Sequence, residues 1–370
     1  MKNLLKQLIR TESTQDKGEL GTAEVIAAEF SRAGVDSRVD CWQQTRANVT
    51  AHVKSATGRP GLLFACHLDV VGPGEAQWSS PPFEPLERDG RIYGRGSTDM
   101  KGGTAAAIRA ICEVVAEDKP LNGDIVFTAV AGEESTSCGA IRFVGDCGWM
   151  PELAGVIIPE PTGFDIVTAH RGMLWLNITT TGKAAHGSAP HLGVNAISSM
   201  KSVLDELDKY KISYEPHKLL GDCSISINTI AAGKEMNVVP DKCTLGIDIR
   251  TVPGQDNEAI VAEIEHILSA LRESRPKFEA TVSVVRQVRA METDNNCAFV
   301  RDFCLAVGIS QTKAVGFTTD GPHFAELGSP VLIFGPGNGE LCHKPDEYIE
   351  IADLDRAVQY YKGIIRHFLT

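Results

Sequence analysis

The sequence is short of positive charge. Its 36 lysines and arginines face 48 aspartates and glutamates, for a formal net charge of −12. That balance argues against nucleic acid or an anionic membrane as the main partner. A small anionic substrate stays open, because one local arginine can outweigh the global field. No apolar run is long enough to cross a bilayer. The opening MKNLLKQLIR sets Leu4, Leu5, Leu8 and Ile9 on one helical face. Charges interrupt it, so it reads as neither a signal peptide nor a membrane span. The 10 cysteines include no CxxC pair and no tight cluster. This excludes a disulfide frame and suits reduced thiols in the cytoplasm. Repeats and low-complexity tracts are missing too. Gly335 to Gly339 is glycine-rich but lacks the lysine and following helix of a phosphate loop.

What is present starts with LLFACHLD, Leu62 to Asp69. A continuous apolar run of this length marks a strand buried on both faces. Its carboxyl end carries His67 and Asp69, which alternate along the strand and so share a side. In open α/β sheets ligands bind at that end. An aspartate beside a histidine can orient the ring for a metal; a buried histidine satisfied by its neighbour is the other reading. Two more apolar strands end the same way: Asp124 to Ala131 runs into Glu133 and Glu134, and Gly155 to Ile158 into Glu160.

At 370 residues the chain exceeds one ordinary core, and two domains are expected. From about Arg171 the strands alternate apolar and polar residues, as in a sheet with one wet face. The order strand-helix-strand-strand-helix-strand then fits a small ferredoxin-like domain. The expected fold is α/β: a catalytic α/β sandwich over 1–170 and 288–370, with an inserted ferredoxin-like α+β lid over 171–287.

The acids and histidines at the strand ends are His67, Asp99, Glu133, Glu134, Glu160 and His343. So many carboxylates around two imidazoles would repel without cations. Mixed nitrogen and oxygen donors suit zinc, cobalt or manganese. There is one acid too many for a single tetrahedral ion, whereas two ions sharing a carboxylate would use them all.

Nine fragments, in this order, resemble one family over nearly the whole chain. They are HLDVV, WSSPPF, YGRGSTDMKGG, AGEEST, PEPT, AAHGSAPH, NVVPD, and FGPGN with CHKPDE. They are similar to the co-catalytic metallohydrolases that include succinyl-diaminopimelate desuccinylase, acetylornithine deacetylase, aminoacylase and carboxypeptidase G. The resemblance implies two divalent ions, zinc first, with cobalt or manganese as options. His67, Asp99 and Glu160 would hold one ion, and Asp99, Glu134 and His343 the other. Asp69 would order His67, and Glu133 would be the general base for a water shared by the two ions. The peptide bond after Asp99 would be cis. In the lid, His186 would stabilise an oxyanion across a homodimer interface, Asn237 would line the site, and Arg250 would grip a substrate carboxylate. A surface salt bridge is the other reading of Arg250. Thr319, in GFTTDGPH, could hydrogen-bond the substrate. The implied activity is hydrolysis of the amide of an N-acyl amino acid. A metallo-dipeptidase or carboxypeptidase acting on short peptides is the alternative, and a non-catalytic binding relative is a third.

Overall fold

The computed structural model describes residues 1–370. The chain divides into two units. One is Met1–Thr168 with Thr293–Ala314 and Thr319–Thr370; the other is Ala169–Glu292 with Val315–Thr318.

The larger unit is built on a mixed sheet. In spatial order its strands are Asp36–Trp42, Arg46–Val53, Gly123–Val130, Arg59–His67, Leu153–Ile158, Val331–Ile333 and Ile166–His170. The four central strands from Gly123–Val130 to Val331–Ile333 run parallel. Their carboxyl ends therefore share one edge, the edge at which α/β sheets place ligands. Leu62, Leu63 and Phe64 are fully buried, as are Val126, Val156, Ile157 and Leu332. Burying each such side chain is worth about 1.5–3 kcal/mol, which holds the sheet's centre rigid.

The helix Lys101–Ala116 packs against Ile351–Leu369. Its first turns are made of small residues for a steric reason. A Cβ on Gly103 would stand 2.0 Å from the carbonyl oxygen of Pro159. Only glycine lets the helix start this close to the loop that carries Glu160. The hairpin Leu86–Arg88 and Arg91–Tyr93 turns at Asp89 and Gly90, both at positive φ (51° and 76°), the pattern of a two-residue type I′ turn.

The smaller unit holds an antiparallel sheet in the order Ser224–Ala232, Lys242–Arg250, Met173–Thr181, Glu279–Val288. Helices Ala196–Leu207 and Asn257–Ser274 follow the first and third strands in sequence. Alternate strand residues Leu174, Leu176, Ile178, Leu245 and Ile247 pack with Met200, Val203, Ile260, Ile264 and Leu268 in one core. The period-two and period-3.6 patterns thus meet on a single face, giving a ferredoxin-like arrangement. The first helix begins at Ala196, two residues beyond the expected start. Asn195 is its cap, its side chain accepting the N–H groups of Ile197 and Ser198. The short strand Ile166–His170 was not legible, since five residues, IVTAH, offer little period.

Candidate metal centre

His67 ends its strand at 2 % exposure. Its Nε2 lies 3.1 Å from Asp99 Oδ1 and 3.4 Å from Glu160 Oε1. The other oxygen of Asp99, Oδ2, is 3.3 Å from His343 Nε2, and Glu134 Oε1 is 3.0 Å from that same nitrogen. Asp99 thus stands between two imidazoles, one per oxygen. Donor atoms of His67, Asp99 and Glu134 all lie within 4.8 Å of one another. The Asp99–Met100 peptide is cis.

The contact between Asp69 and His67 differs in detail from the sequence expectation. His67 Nδ1 meets the main-chain carbonyl of Asp69 at 3.0 Å, while the carboxylate stands farther off at 3.7 Å. That carboxylate instead accepts the N–H groups of Glu133 and Glu134, each at 3.0 Å. Strand pairing stops at His67, so the chain turns and the simple alternation no longer applies. Asp69 therefore touches two parts of the cluster at once. Asn48 braces the same turn from behind, donating to Gly139 O at 2.8 Å and accepting Ala131 N–H at 3.0 Å.

The electrostatics of the cluster are those of crowded anions. Burial works against charge on His67, but Glu160 and Asp99 outweigh it and hold its pKa well above the usual value. Hydrogen bonds to Asp99 and Glu134 raise His343 to about 10. Burial raises the Asp99 carboxyl, yet His343 and His67 overcome it and pull it down. Burial, joined by neighbouring carboxylates, raises Glu134 and Glu160. Glu133, 8 % exposed, is raised well above the usual range by burial, and Asp320, Glu134 and Glu160 add to the rise against the opposing His67. The carboxylates draw positive charge toward the imidazoles, and a divalent cation meets the same demand. Two imidazoles and three carboxylates also match the donor preferences of zinc, cobalt and manganese. The residues present fit such ions.

Thr319 belongs to the same unit and is 2 % exposed; its Oγ1 accepts the Gly321 N–H at 3.0 Å. His186, Asn237 and Arg250 belong to the smaller unit. His186 is exposed and paired with Ser188 Oγ at 2.7 Å. Asn237 is exposed, and its carbonyl accepts Gly187 N–H at 2.7 Å. The Arg250 guanidinium is held by Asp248 through two contacts, at 2.9 and 3.1 Å.

One residue beside the cluster had no assigned role in the sequence reading. Glu347 is fully buried and sits opposite the loop that carries Asp99. The signal was available in CHKPDE, an acid four residues after the histidine, but acids after proline are ordinarily solvated.

A probable succinyl-diaminopimelate desuccinylase of Staphylococcus aureus is 30% identical to this chain, covering 94% of it and 92% of the relative. An acetylornithine deacetylase of Myxococcus xanthus is 28% identical, covering 98% and 96%. Among solved structures, an M20 family metallo-carboxypeptidase from Sulfolobus solfataricus superposes with a TM-score of 0.82 at 18% identity, covering 99% of this chain and 98% of that one. The model of Peptidase family M20/M25/M40 matches residues 63–367. The span of that match takes in His67, Asp99, Glu133, Glu134, Glu160 and His343, and the chain belongs to this family of metal-dependent hydrolases.

Proposed function

We propose that this protein is a cytoplasmic two-metal amidohydrolase that removes a small acyl group, succinyl or acetyl, from an amino acid. The observation that carries the reading is Asp99, whose two oxygens face two different imidazoles at 3.1 and 3.3 Å. His67, Asp99 and Glu160 would hold one ion, and Asp99, Glu134 and His343 the other, with zinc the first choice and cobalt or manganese possible. When bound, such ions polarise the amide carbonyl and acidify an attacking water.

The chain's own residues do the rest. Glu133 takes the proton from water and returns it to the leaving amine. Its burial beside other acids keeps its carboxyl basic enough for both steps. Asp69 holds the Glu133–Glu134 turn through two N–H groups and faces His67 with its carbonyl. Thr319 hydrogen-bonds the substrate. Arg250 grips a substrate carboxylate in the two-point fashion it now uses on Asp248. Asn237 lines the site, and His186 stabilises the oxyanion from a second copy. The edge strand Ser224–Ala232, exposed along its whole length and including Ile225, Ile227 and Ile230, supports a homodimer.

Full-length relatives at 28–30% identity, a desuccinylase and a deacetylase, support an N-acyl amino acid as substrate. The test is a matched panel of N-succinyl and N-acetyl amino acids and dipeptides, run after chelation and after readdition of zinc or cobalt. Activity should vanish and return on the acyl amino acids. Turnover without metal, or on dipeptides alone, refutes the reading.

A further inference from the structure

The proposed ligands reach the site on separate stretches of chain, and one buried acid outside that set ties two of the stretches together. Glu347 Oε1 accepts the N–H groups of Thr98 at 2.8 Å and Asp99 at 3.1 Å. Its Oε2 accepts the Gly96 N–H at 3.1 Å and Arg95 Nη1 at 2.6 Å. Four donors on one carboxylate nearly fill its lone pairs. The main chain from which Asp99 projects is thereby set against the turn that carries His343, at positive φ (64°). Further bonds clamp that turn from the same side. Ser79 N and Oγ each donate to Asp346 Oδ1 at 2.8 Å, and Arg95 Nη1 reaches the carbonyl of Lys344 at 3.3 Å.

We propose that Glu347 is a positioning residue that fixes Asp99 and His343 relative to each other and so builds the ion site they share with Glu134. This rests on the two-metal reading above. A buried pair kept only for stability would behave otherwise: Arg95 and Glu347 would matter equally, and metal binding would follow folding. Here Arg95 supplies one of the four donors, and the other three are main-chain groups of the Asp99 loop. A glutamine at 347 would turn an NH₂ group toward donors and break that grip.

The experiment uses the full chain, stripped of metal, with Co(II) alone as the probe. Binding is followed by calorimetric titration and by visible absorption, and thermal stability is measured on the same samples. The wild type should take two ions. Glu347→Gln should bind one ion within about threefold of wild type and the other about 10–100-fold more weakly, with an altered spectrum. Arg95→Met, which removes one of the four donors and the Lys344 contact but leaves the three main-chain bonds to Glu347, should lose comparable thermal stability while weakening that same ion clearly less than Glu347→Gln does. Should Glu347→Gln not fold, Glu347→Asp, which keeps the charge but withdraws it by one methylene, should show the same one-sided loss on a smaller scale. Wild-type binding of both ions by the foldable Glu347 variant overturns the proposal. So does a loss on both ions, in both variants, in proportion to stability. A wild type that takes fewer than two ions overturns the two-metal reading itself.

Discussion

Single side chains decide the chemistry here, and their environments decide what they can do. Glu133 and Glu134 are adjacent in sequence, yet Glu134 meets His343 at 3.0 Å, whereas Glu133 is the proposed general base, its carboxyl raised well above the usual range by burial. Glu133→Ala should therefore cut turnover by about 10²–10⁴-fold with metal content unchanged by elemental analysis. Loss of metal in that variant would make Glu133 a ligand. His170, outside the proposed ligand set, gives a different test. It is fully buried, its Nδ1 contacts the Arg171 carbonyl at 2.7 Å, and burial lowers its pKa from 6.5 to about 4. Between those values the unfolded chain binds a proton that the folded chain refuses. Stability is thus complete above about pH 6.5 and declines as pH falls toward 4, by about 3 kcal/mol from this group. Urea midpoints at pH 7 and 4.5 should separate less in His170→Gln than in wild type. The sequence offered no sign of this, because a histidine's burial depends on a strand too short to have a period.

Elements bring these residues to one place. Strands ending in His67, in the turn of Glu133 and Glu134, and before Glu160 were legible, because strands buried on both faces read as apolar runs and polar residues at their ends stand out. The arrangement of the hydrogen bonds was not. Nothing in the alternation of His67 and Asp69 foretold that a carbonyl would face the imidazole while the carboxylate capped the next loop. Nor could spacing show that residues 347 and 99 meet. Helix Lys101–Ala116 shows how tight the assembly is. Gly103→Ala would push a methyl group into the Pro159 carbonyl and part the Asp99 and Glu160 loops. The expected result is a loss of about 1–3 kcal/mol in denaturant unfolding, together with weaker metal binding. A stable Gly103→Ala protein with unchanged metal affinity would contradict this account of the close approach.

At the scale of the whole molecule, the order of strands and helices after Arg171 was enough to read the ferredoxin-like unit, since two-residue alternation and helical spacing both point into one core. Exposure along Ser224–Ala232 was less legible, because isoleucines in a strand ordinarily face inward. If that edge pairs with a second copy, Ile227→Lys should halve the mass seen by sedimentation equilibrium while leaving the fold intact by circular dichroism. An unchanged mass would remove the edge strand as the interface.

The entry and exit of the smaller unit carry a consequence of their own. Thr293 N–H bonds to the Thr168 carbonyl at 2.8 Å, and Met291 pairs with His170. The chain leaves the larger unit and comes back at neighbouring points, like a road with its on-ramp beside its off-ramp. A detour with adjoining ends can be lengthened, exchanged or rebuilt without rerouting the roadbed. Sequence change can therefore accumulate in the detour while the sheet edge that carries the His67 and Asp99 cluster stays put.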